Sequence, residues 1–164
     1  MSTHAVIIST GSNLGDKEGN CRKGIESLAG HPGNTLVKAS PFYRTSPVDC
    51  LDQDWFVNAA VKIETGLEPT DLLALLQKIQ AEAGRTKGGI RFGPRELDLD
   101  IIFYDRLVMK TPALEIPHPR MHKRRFVLQP ICDIDPEIVH PLLNISVKSL
   151  LNQLEDMGQE VFLL

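Results

Sequence analysis

The chain has 164 residues, 42% of them apolar, and a formal charge of −3 at neutral pH. That length and apolar content suit one globular domain with a full core, residues 1–164 together. The acidic balance argues against a general nucleic-acid binder, which needs a basic excess across a face, and three cysteines (Cys21, Cys50, Cys132) are too few and too irregularly spaced for a disulfide framework.

Residues 5–9 read as a short apolar strand, followed by a turn at 11–15 and a helix over 16–28. This first apolar run is far too short for a signal segment or a membrane span, so the cytoplasm is the expected compartment and a membrane is not an expected partner. Gly30-His31-Pro32-Gly33-Asn34 breaks the helix. Residues 35–43 form a second strand, which Pro41 places partly at an edge or bulge. A polar loop spans 44–54, and 56–65 is a third strand. Glu68-Pro69 opens the next helix, with proline allowed in the first turn; Leu72, Leu73, Leu76, Ile79 and Ala83 give its apolar stripe and Gly84 ends it. A strand over 97–104 follows, then a hairpin or loop through 107–116 and a short helix within 121–131. Ser146 caps a final helix that Gly158 closes, and 161–164 adds an edge strand. This β-α-β-β-α-β order with a C-terminal extension is the ferredoxin-like split βαβ arrangement, an α+β fold with an antiparallel sheet. Two helices then cover one face, and the other face and the long loops remain open to a ligand.

The stretch 84–104, GRTKGGIRFGPRELDLDIIFY, carries most of the chemistry. Four cations (Arg85, Lys87, Arg91, Arg95) sit among four glycines and a proline, with no acid before Glu96. The run Leu97-Asp98-Leu99-Asp100-Ile101 then alternates with period two, so its odd positions face a core. Asp98 and Asp100 therefore share a face, roughly 7 Å apart by strand rise. Two bare carboxylates held that close repel each other, and a divalent cation between them removes the conflict. An oxygen-only ligand pair selects a hard ion such as Mg²⁺. A basic, glycine-rich loop beside a metal-loading strand suits a polyphosphate.

These residues and others in chain order resemble a known family. The signatures are Gly11-Ser12-Asn13-Leu14-Gly15, Phe42-Tyr43-Arg44-Thr45, Phe56-Val57-Asn58-Ala59-Ala60-Val61, Arg91-Phe92-Gly93-Pro94-Arg95-Glu96-Leu97-Asp98-Leu99-Asp100-Ile101, Pro117-His118-Pro119-Arg120-Met121 and Arg124-Arg125-Phe126-Val127-Leu128. Together they are similar to 6-hydroxymethyl-7,8-dihydropterin pyrophosphokinase of folate biosynthesis. The resemblance implies transfer of the β,γ-pyrophosphoryl unit of ATP to the hydroxymethyl group of a reduced pterin, with release of AMP. It implies two Mg²⁺ ions on Asp98 and Asp100, and Arg85 and Arg95 as catalytic cations on the phosphates. ATP would be lined by Gln77, Arg85, Lys87, Arg91, Phe92, Arg95, Ile101, His118 and Arg124. The pterin would lie among Thr45, Val48, Phe56, Asn58 and Phe126. Its partners would be small molecules only, and the protein a monomer.

The chain also departs from the family's pattern. Gln80 stands where a glutamate is usual, which removes a charge that could pair with the basic loop. Phe92 replaces a common tryptophan, Ala113 and Glu115 replace polar ATP-side residues, and Ser46 replaces a proline, which would loosen the pterin loop. His118 and His122 are four apart, but Pro119 interrupts any helix there, so a zinc site is not expected. Asn13 reads as a local turn or cap former, since the glycine-rich opening lacks the Gly-Lys-Ser/Thr ending of a phosphate loop. Two competing readings stand: a non-catalytic nucleotide-binding module on the same scaffold, and an RNA-binding sheet, which the low aromatic content opposes.

Overall fold

A computed structural model describes residues 2–47, 54–84, 96–155 and 158–164. The elements are β1 (His4–Ser12), α1 (Lys17–Ala29), β2 (Asn34–Ala39), β3 (Tyr43–Thr45), β4 (Phe56–Thr65), α2 (Pro69–Glu82), β5 (Asp98–Tyr104), β6 (Met109–Lys110), β7 (Glu115–Ile116), a 3-10 turn (Met121–Lys123), α3 (Arg125–Ile134), α4 (Val147–Gln153) and β8 (Val161–Leu163). In the main antiparallel sheet β5, β1, β4, β3 and β8 lie side by side, and β2 also pairs with β4. β6 and β7 make a small separate hairpin. The fold is α+β and ferredoxin-like, as the element order predicts.

Local chemistry explains the element ends. Asp16 caps α1 by accepting the Gly19 N–H at 3.2 Å, and Pro69 occupies the start of α2. Gly84 stops that helix in a left-handed conformation (φ +84), where an added Cβ would also lie 2.6 Å from the Glu96 carboxylate. Three expected boundaries are corrected. The second strand is two strands: the ladder breaks at Ser40-Pro41-Phe42, so β2 pairs the 61–65 end of β4 and β3 its 56–58 end. Gly11 and Ser12 belong to β1 rather than to a turn. The last helix ends at Gln153, well before Gly158, because Leu154 leaves the helical backbone with an extended ψ of 123.

The sheet carries a core on each side. Val6, Ile8, Val61, Ile63, Leu97, Leu99 and Ile101 pack against Leu28 of α1 and Leu72, Leu76 and Ile79 of α2. The alternating run therefore puts its odd positions inside, as expected. The opposite face is not open along its whole length. Ile7, Ala60, Ile102 and Phe103 are buried there under Met121, Val127, Leu128, Ile131, Ile134, Val147 and Leu150. The C-terminal extension is thus a second covering layer, because strands with apolar residues on both faces need two.

Candidate active site

Side chains directly opposite one another across antiparallel strands share a face. The register aligns Asp98 with Gly11, Gly11 with Asn58, and Asn58 with Tyr43. One residue pair along, Asp100 aligns with Ser9 and Ser9 with Ala60; one pair the other way, Phe56 aligns with Thr45. Both acids and the described pterin candidates on the sheet therefore lie on the face carrying α3, where Asp100 is exposed, Asp98 and Phe56 are half-buried, and Thr45 and Asn58 are buried. With β1 between them, Asp98 and Asn58 are roughly 10 Å apart by strand spacing.

Asn58 is only 3% exposed, and its amide Nδ2 donates to Thr45 Oγ1 at 2.5 Å. Its Oδ1 lies over Gly11, where any Cβ would collide with it. Gly11 is thus the low floor between the acid strand and the amide, a close-approach role that the sequence reading missed. Tyr43, buried from the same motif, donates its hydroxyl to Asp133 Oδ2 of α3 and ties β3 to that helix; burial pushes its hydroxyl up to about 12. Phe126 lies in the first turn of α3, packed at the edge of the second core, with the Arg124 guanidinium 5.5 Å from its ring centre.

Among the nucleotide candidates, His118 follows a cis peptide at Ile116-Pro117. Its N–H donates to the Ile102 carbonyl at 3.1 Å, and its Nδ1 accepts the Arg120 N–H at 3.2 Å. An accepting Nδ1 places the proton of the neutral ring on Nε2, which makes that nitrogen a donor. Burial lowers the His118 pKa, the Asp100 carboxylate opposes that shift and Arg124 and Arg120 add to it, so Asp100, His118 and Arg124 share one electrostatic neighbourhood. The Ile101 side chain is 3% exposed and buried toward α2. The Leu99 N–H points to the outer edge of β5, where Gln80 Oε1 accepts it at 2.7 Å. By strand alternation Ile101 turns its own N–H and carbonyl to that edge, so its main chain is what a ligand can read. Gln77 is exposed on α2, three residues before Gln80 and next to it on the helix surface.

Two departures look different in three dimensions. Gln80 anchors the acid-bearing strand from α2. Ser46 is tied to the C-terminal segment: its N–H donates to the Glu160 carbonyl at 3.0 Å, its Oγ donates to the Gly158 carbonyl at 3.3 Å and accepts the Glu160 N–H at 2.9 Å. Asn13 also acts at long range, donating to the Asp54 carbonyl at 3.3 Å. Arg85, Lys87, Arg91, Phe92, Arg95 and Val48 lie outside the described residues.

The profile of the family described as 7,8-dihydro-6-hydroxymethylpterin-pyrophosphokinase (HPPK) matches residues 7–136, most of the chain. The chain belongs to the HPPK family. It is 44% identical over 131 residues to the 2-amino-4-hydroxy-6-hydroxymethyldihydropteridine pyrophosphokinase of Bacillus subtilis, covering 80% of this chain and 78% of that one. The protein of the same description from Methylorubrum extorquens is 39% identical over 92% of this chain and 93% of its own. The folic acid synthesis protein fol1 of Pneumocystis carinii is 41% identical over 95% of this chain, which spans only 21% of that longer protein. Among solved structures, a Plasmodium falciparum HPPK-DHPS with SDX-DHP superposes with TM-score 0.69 at 15% identity, over 92% of this chain and 43% of that one. That likeness concerns the fold alone.

Proposed function

We infer that the acids, the Asn58 slot and His118 are working parts of one reaction. This HPPK-family chain transfers pyrophosphate from ATP to the hydroxymethyl group of 6-hydroxymethyl-7,8-dihydropterin in folate biosynthesis. The pterin oxygen attacks the β-phosphorus, the bond from that phosphorus to the α-phosphate oxygen breaks, and AMP leaves. The observation that carries the assignment of residues is the aligned row Asp98, Gly11, Asn58 and Tyr43.

The donor set fits Mg²⁺: two carboxylates share one strand face and Asp100 is exposed, so Asp98 and Asp100 would hold a hard ion through oxygen alone. Two ions held by Asp98 and Asp100 would supply charge neutralisation on the triphosphate and polarisation of the attacked group. The chain's own residues orient the partners. Thr45 and Asn58 read the polar edge of the pterin, joined by Val48, and Phe56 and Phe126 supply its aromatic plates. Gln77, the Ile101 main chain and Arg124 hold the nucleotide, and the His118 Nε2–H donates to it. Arg85 and Arg95 grip the phosphates, assisted by Lys87, Arg91 and Phe92. The protein works as a monomer of one domain in the cytoplasm, with small molecules as its partners.

The test is direct. With ATP, Mg²⁺ and the reduced pterin the protein forms AMP; ADP would indicate ordinary single-phosphoryl transfer, and no nucleotide product would leave a binding module. Asp98→Ala and Asp100→Ala each reduce kcat by roughly a thousandfold, several kcal/mol of barrier, with the fold retained. Near-parental turnover of either variant at saturating Mg²⁺ would remove the two-acid assignment.

A further inference from the structure

The stretch from Gly158 to Val161 touches both walls of the proposed pterin slot. On one side it continues the β3–β8 ladder, in which Thr45 aligns with Val161, and it holds Ser46 by the three hydrogen bonds described above. On the other side Gln159 reaches the start of α3. Its Oε1 accepts the Arg125 N–H at 2.8 Å, and its Nε2 donates to the Lys123 carbonyl at 3.1 Å. Helix α3 has no capping hydrogen bond from the side chain of its own N-cap residue, Arg124. A residue more than thirty positions away therefore satisfies an N–H that a local Ser or Asp normally caps. Arg124 and Phe126 flank that capped N–H.

We propose that Gln159 and Ser46 are positioning residues for pterin binding: the Gly158–Val161 strap holds the Thr45 strand and the Phe126 end of α3 at the separation the ring needs. The proposal rests on the assignment of Thr45, Asn58 and Phe126 to the pterin. Its logic is preorganisation, since a slot already at the right width loses less freedom when it binds. Ser46 suits this role where a proline could not, because proline has neither the N–H nor the hydroxyl that the strap uses. Gln159 suits it because one amide supplies both an acceptor and a donor to adjacent peptide groups.

The experiment measures KM for each substrate, kcat and the unfolding midpoint for Ser46→Ala, Gln159→Leu, Gln159→Glu and the Ser46→Ala/Gln159→Leu pair, with reduced-pterin affinity by calorimetry. Ser46→Ala and Gln159→Leu should each weaken pterin binding roughly tenfold, the worth of one or two hydrogen bonds. ATP KM in Ser46→Ala should stay within about twofold, because a change confined to the slot is felt by one substrate. Gln159→Glu keeps an acceptor for the Arg125 N–H and recovers most of the loss. The double variant falls well short of the product of the singles, because both act through one segment. Parental pterin affinity in either single variant, equal losses for both substrates in Ser46→Ala, or a lower unfolding midpoint without a pterin effect would each overturn the strap. Asn58→Ala separates the two readings. If it leaves pterin binding intact, the slot assignment falls and the strap with it; if it weakens binding while the strap variants do not, the strap alone falls.

Discussion

Gly11 has no room for a side chain: a Cβ would press on the Asn58 amide, which is already held against Thr45. Gly11→Ala should therefore push the amide out of register and weaken pterin binding by roughly tenfold, about the cost of a disturbed buried hydrogen bond. Calorimetry with the reduced pterin checks this, and unchanged affinity would remove Gly11 from the slot. His140 gives a pH prediction away from the chemistry. It is 4% exposed, its Nδ1 accepts the N–H groups of Leu142 and Leu143, and its ring meets Phe103 and His122 edge-on. Burial first, then the neighbouring His122, lowers its pKa from the usual 6.5. The unfolded chain then binds more protons than the folded one just below pH 6.5, so stability should fall on acidification from there down to the folded pKa. His140→Asn keeps an acceptor for the loop amides and should flatten that slope in denaturant titrations between neutral pH and about pH 5. An unchanged slope would put the acid sensitivity elsewhere.

Among the elements, β5 matters most. It is an edge strand of the main sheet, with outward N–H groups that need partners. Gln80 supplies one at Leu99, between the two acids. Gln80→Leu removes the acceptor and should let the strand edge fray, which raises the Mg²⁺ concentration for half-maximal rate by about tenfold. Gln80→Glu keeps an acceptor and a stronger, charged one, so it should change rate more than pterin affinity. A parental Mg²⁺ titration for Gln80→Leu would show that the strand holds its acids without help. This anchor was not readable in advance. The glutamine's position on the helix was, but its partner is a backbone group nineteen residues on, and no periodicity encodes which helix side chain meets which strand edge.

The two cores lie back to back through the same strands: Ile7 and Ile8 are neighbours in sequence but belong to opposite clusters. Leu76→Ala beneath α2 and Leu128→Ala beneath α3, both fully buried, should each cost about 2–5 kcal/mol. Because the strands are shared, unfolding should stay a single transition in both variants. Circular dichroism and fluorescence of Trp55, which stacks on Phe162 and carries Arg44 on its face, should give coincident curves. Separated midpoints would mean that the C-terminal layer unfolds independently.

The order of strands and helices, the inward side of each and the pairing of Asp98 with Asp100 are written along the chain, because alternation, helical spacing and glycine or proline breaks are local patterns. The family's motifs stand there too. The distances across the sheet are not: which residue faces Asp98, and that Gly11 clears the floor before Asn58, follow from register between strands distant in sequence. The closed half of the second face depends on apolar packing between distant segments, and the Gln80 anchor and the grip of Gln159 and Ser46 depend on long-range hydrogen bonds between backbone and side chains. Such bonds form wherever packing brings a donor to an acceptor, and sequence spacing carries no record of that meeting.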